Sequence, residues 1–116
     1  MPPRVEPTRI TNGDIESVYY VRSSEGPNSV SITPQLNGSN YISWSRSMKK
    51  ALGSKNKLGF INGSIPVPNF NDLNRSAWER CNYLVHSWIL NFVNPAIAQT
   101  ILFLENALDV WNYLKE

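Results

Sequence analysis

The sequence predicts an all-α fold, a small bundle of about four helices behind a mostly disordered N-terminal arm with one candidate short strand. Three observations predict it. From Tyr41 onward, apolar residues recur at i, i+3 and i+4 rather than in alternation. The four tryptophans, Trp44, Trp78, Trp88 and Trp111, each fall on the apolar arc of their own helical segment. Residues 1–35 hold five of the eight prolines and no helical period, so little apolar area there offsets the entropy of ordering. With 116 residues the chain accommodates one domain, placed at 36–116, after the arm at 1–35.

The elements follow in chain order. Residues 30–33 (VSIT) alternate β-branched residues and close at Pro34, which predicts a short edge strand. A first helix starts at Asn40, a candidate N-cap, with Tyr41, Trp44, Met48, Ala51 and Leu52 within about 100° of arc. It ends between Gly53 and Gly59, both candidate left-handed stops. Residues 59–72 contain Asn62-Gly63, Pro66 and Pro68, which favour turns and extended backbone over helix, pinned by Phe60, Ile61 and Ile65. The strongest stripe spans 73–92 with Asp72 as N-cap: Ala77, Trp78, Cys81, Leu84, Val85, Trp88, Ile89 and Phe92. Tyr83 and Leu90 lie on the back of this helix, and both are candidates for contact with another chain. Asn94-Pro95 reads as N-cap and N1 proline of a third helix carrying Ile97, Ile101 and Leu104. A fourth begins near Asn106 with Ala107, Val110, Trp111 and Leu114, and its pattern is still running at Glu116, the mark of a C-terminally truncated domain.

Chemistry is sparse. Net charge is +2, well below that of a dedicated nucleic-acid binder. The charge is nevertheless uneven, because residues 41–58 hold Arg46, Lys49, Lys50, Lys55 and Lys57 and no acid. Arg46, Lys49 and Lys50 lie opposite the apolar arc of the first helix and are the candidate RNA-contacting residues, in competition with a purely solvating face. One histidine and one cysteine exclude a zinc shell, and a lone base without an orienting partner excludes the usual nucleophilic triads. His86 falls outside the stripe and reads as solvated, whereas Cys81 sits within it as a small hydrophobe. No glycine cluster forms a phosphate loop. No enzyme activity, cofactor, metal or small-molecule substrate is expected. Nor is a membrane span, since the strongly apolar run ILFL is far too short. The absence of an apolar leader and the single cysteine favour the cytoplasm.

Several motifs then occur in a fixed order. They are Leu36, Gly38, Asn40 and Tyr41; Trp44 and Met48; the run KNKLGFI at 55–61 with Gly63; Trp78, Cys81 and Asn82; SWILN at 87–91; and Val110, Trp111 and Leu114. Together they resemble the N-terminal Gag region of plant Copia-type retrotransposon polyproteins, from about Tyr19 to the C-terminus. The resemblance implies a capsid-like helical domain with a structural role, self-associating into virus-like particles that package element RNA, and it transfers no catalytic residue. The family's CCHC zinc knuckle needs three cysteines and a histidine, which this sequence lacks. The expected partner is therefore a second copy of the chain, with RNA a weaker candidate. The rival readings are a nucleic-acid-binding module using the first helix and a non-functional fragment of a decayed element.

Overall fold

The longer helices form where the apolar spacing places them, but several of their ends are set by turns and hydrogen bonds that the spacing does not reveal. The structure, a computed structural model, describes residues 17–22, 25–26 and 29–115. Its helices are α1 (Tyr41–Ser54), α2 (Gly59–Asn62), α3 (Arg75–Asn91), α4 (Pro95–Ile101) and α5 (Ala107–Leu114), and the described residues contain no sheet.

Helix α1 begins after Asn40 and ends between Gly53 and Gly59 as expected, but four details of the element ends differ from the sequence expectation. Asn40 precedes α1 without capping it by its side chain. Its amide instead closes the preceding turn, donating to the Gln35 carbonyl at 2.9 Å while its Oδ1 accepts from the Asn37 N–H at 3.0 Å. The helix runs through Gly53, and the left-handed residue after its end is Asn56 (φ 57°), a residue type that tolerates that region. Residues 59–62, expected as turn and extended chain, make one helical turn that stops at Gly63 (φ 82°). Asp72 does not cap α3. Its carboxylate accepts from the Asn74 N–H at 2.7 Å in a turn of its own, so the helix starts at Arg75. By contrast, Asn94 caps α4 as expected, its Oδ1 accepting from the Ile97 N–H at 2.8 Å with Pro95 at N1.

The core is built around α3, whose Cys81, Val85, Trp88 and Ile89 are fully buried. All four tryptophans are at most 5% exposed. Trp44 of α1 stacks on Trp111 of α5, with centroids 5.7 Å apart and planes 24° apart, and Tyr41 leans on both at 6.5 Å. At the other side, Phe60 of α2 lies 6.4 Å from Trp78, and Tyr19 meets its edge at 6.3 Å. Burial on this scale is the main favourable term in the fold, since each large side chain removed from water contributes about 1.5 to 3 kcal/mol.

The segment before α1 takes part in this core. Val30 and Ile32 are buried in it, yet residues 30–33 do not form the expected strand. Their alternation places two side chains inward without any backbone ladder. The backbone pairing is instead a single parallel bridge between Leu36 and Val93, with Leu36 N–H donating to Phe92 and Asn94 N–H donating to Leu36, both at 2.9 Å. The Trp44 indole donates to the same Phe92 carbonyl at 2.7 Å, which fixes α1 to the α3–α4 junction. The first 16 residues of the expected arm lie outside the described residues.

Candidate functional site

Two polar side chains inside α3 position the end of the bundle. Asn82 is buried and uses both ends of its amide: Nδ2 donates to the Glu105 carbonyl and Oδ1 accepts from the Ala107 N–H, each at 2.8 Å. This second bond satisfies the first helical N–H of α5, whose preceding Asn106 makes no side-chain cap. His86, expected to be solvated, is buried, with Nε2 2.6 Å from the Leu104 carbonyl. Both residues hold residues 104–107 against α3. Polarity on the back of the helix is thus spent on a latch rather than on solvent.

Lys57 departs furthest from expectation. Counted in the sequence among the bases of an acid-free run, it is 0% exposed, and its ammonium donates to the carbonyls of Tyr20 at 2.7 Å and Lys55 at 3.4 Å. Burial lowers its pKa, against the pull of Cys81 and Glu25. The same burial raises the Cys81 thiol, partly offset by Lys57 and Arg80, and Cys81 Sγ lies 3.5 Å from the Tyr19 carbonyl. Nearby, the Trp88 indole donates to Gly26 at 2.7 Å and Lys55 meets Glu25 at 3.5 Å. Tyr19, Tyr20, Glu25 and Gly26 are therefore clasped by side chains of α3 and of the turn after α1. A lysine among acid-free bases gives no sequence signal for this role.

The remaining candidate residues sit on the surface. Arg46, Lys49 and Lys50 are exposed along α1, and none forms an ion pair among the described residues. Tyr83 is 59% exposed on the back of α3, whereas Leu90 is half-buried and packs against the core. Leu102 and Phe103 are also exposed, on the segment that Asn82 and His86 hold to α3. Further exposed apolar side chains are Ile42 on α1 and Phe70 and Leu73 ahead of α3. Phe70 lies over the Arg75 guanidinium at 4.2 Å. Two surface recesses accompany these features. One, of about 580 Å³, opens between Tyr41, Ile97 and Tyr113; the other, of about 500 Å³, lies between α1, α2 and α5 and has Lys49 and Lys115 on its rim.

The described residues contain no group of three or more His, Cys, Asp or Glu that could hold a metal ion, and no helix long and apolar enough to cross a membrane. No curated protein and no solved structure matches the chain. Residues 22–69 do match the family described as the Gag-polypeptide of LTR copia-type. That stretch carries Glu25 and Gly26 of the clasp, α1, the Lys57 turn and α2. Over that stretch the chain is similar to copia-type Gag polypeptides of retrotransposons.

Proposed function

We propose that the chain is a structural, non-enzymatic Gag-like domain that associates with further copies of itself through exposed apolar side chains, as an element of a particle shell. Gag polypeptides are structural proteins as a class. The observation that carries the reading is Tyr83. It stands exposed on a helix whose opposite face already fills the core, and Leu102 and Phe103 are exposed on a segment bonded to its sequence neighbours Asn82 and His86. These large exposed apolar groups support reading this side of the domain as an interaction surface. Half-buried Leu90 extends it along α3. The cytoplasm is the compartment proposed for this association.

Sedimentation velocity of the wild type and of Tyr83→Asp tests this reading. The variant is expected to remain folded, since the side chain supports no buried contact, and to lose the faster-sedimenting species. A variant that sediments like the wild type rules out this face.

A second reading has one specific observation behind it. Arg46, Lys49 and Lys50 project from α1 without carboxylate partners among the described residues. RNA phosphates would meet such a face through charge alone.

A further inference from the structure

We propose that the recess between α1, α2 and α5 binds a nucleoside monophosphate unit, either free or within a single-stranded chain, with its phosphate on Lys49 and Lys115. The proposal rests on the second reading above, that α1 meets RNA, and gives that reading a defined pocket.

The rim of the recess carries donors and no acid. Lys49 comes from α1 and Lys115 from the end of α5, and neither is ion-paired among the described residues. Asn62 has its Oδ1 committed to the Ser64 N–H at 2.9 Å, so its Nδ2 donor is the end left for a ligand. Asn112 stands on the same rim. Two ammonium groups and an oriented amide donor complement an acceptor-rich anion, and phosphate is such a group. The floor has a different chemistry. It is apolar, with Ile61, Trp111 and the half-buried Leu58 and Leu108 in its lining, so it offers a surface for a flat base that a bare inorganic anion would not use. A volume of about 500 Å³ is within the usual span for small-ligand sites, roughly 300–1,000 Å³.

Gly63 shapes the wall. Its φ of 82° is one that side-chain-bearing residues rarely adopt, and a Cβ there would stand 3.8 Å from Leu108 Cδ2, at the edge of the pocket. The turn that ends α2 therefore brings bare backbone alongside the site. The motif residue that reads in sequence as turn punctuation also lines the recess.

Fluorescence anisotropy of a labelled single-stranded RNA of about eight nucleotides, at low salt, tests the site. AMP and inorganic phosphate serve as competitors, and circular dichroism checks the fold of each variant. The wild type is expected to bind the RNA, and Lys49→Gln with Lys115→Gln to weaken it at least about tenfold, while Arg46→Gln with Lys50→Gln weakens it less. Asn62→Ala is expected to weaken it without changing the salt slope, because no charge is removed. Competition by AMP identifies the free nucleotide as sufficient. RNA binding that depends on Lys115 but resists AMP assigns the site to a phosphate within a chain, and competition by inorganic phosphate as strong as by AMP removes the base from the proposal and overturns it. RNA binding insensitive to Lys115 and Asn62 overturns the recess while leaving the basic face of α1 intact. No binding of RNA or AMP by the folded wild type overturns both.

Discussion

At the scale of the residue, Lys57 and Cys81 decide more than their sequence positions suggest. Lys57 is fully buried with its charge directed at carbonyls, so Lys57→Ala removes a long packed stem and leaves the Tyr20 carbonyl without its donor. A loss of about 2 to 4 kcal/mol is expected in urea unfolding, the range for large-to-small changes in a core. A loss below about 0.5 kcal/mol, the scale of a surface substitution, would show that the clasp is not formed. Cys81 carries the pH dependence. Its pKa is raised above 9.0 by burial, so as pH rises past 9.0 the unfolded chain releases the thiol proton while the folded chain keeps it. The stability linked to this group is complete below 9.0 and is lost as pH climbs above it. Lys57, with its pKa lowered, has the opposite sign and is relieved at high pH, so the two oppose each other. Comparing the unfolding midpoint of Cys81→Ala with the wild type between neutral pH and pH values above 9.0 isolates the thiol: the wild type is expected to fall more steeply. Parallel curves would contradict its burial in the folded state.

At the scale of the element, the latch between α3 and α5 is the feature most open to a single change. Asn82→Ala removes two buried hydrogen bonds, to Glu105 and to the first N–H of α5, at a cost of about 2 to 4 kcal/mol. Amide exchange is expected to rise first across α5 while α1 and α3 keep their protection; a uniform rise would mean that α5 is held by packing alone. The helices themselves are readable from sequence because burial imposes a 3.6-residue period on α1, α3 and α5, and tryptophans mark its inner face. The latch is not readable in this way. Asn82 and His86 share one face of α3 at i, i+4, but a polar residue bonded to a distant carbonyl has the same sequence signature as one facing water. α2 is hidden for another reason, since Asn62-Gly63 and two prolines punctuate the region and a single turn is too short to show a stripe. Val30 and Ile32 were legible as paired inward positions, but not as core against a helical bundle, because alternation predicts a sheet.

The whole molecule is a domain whose tryptophans are all used internally, and whose remaining apolar groups, Ile42, Phe70, Leu73, Tyr83, Leu102 and Phe103, are displayed outward. Burying one such side chain between copies is worth about 1.5 to 3 kcal/mol, too little for a permanent dimer but enough for a lattice in which each copy makes several contacts. The domain is therefore expected to be monomeric when dilute and to assemble when crowded. The recess at Lys49 and Lys115 then places a nucleotide-binding element on the same small body. Of these surfaces the sequence located Tyr83 and the base triplet of α1, because both follow from helical geometry. It could not locate the recess, which exists only once α2 and α5 meet. Light scattering of the wild-type protein over a wide concentration series tests the self-association claim most directly. The account predicts a weight-average mass that climbs with concentration and that Tyr83→Asp holds down, and a mass fixed at one chain up to the highest concentration reached would contradict it.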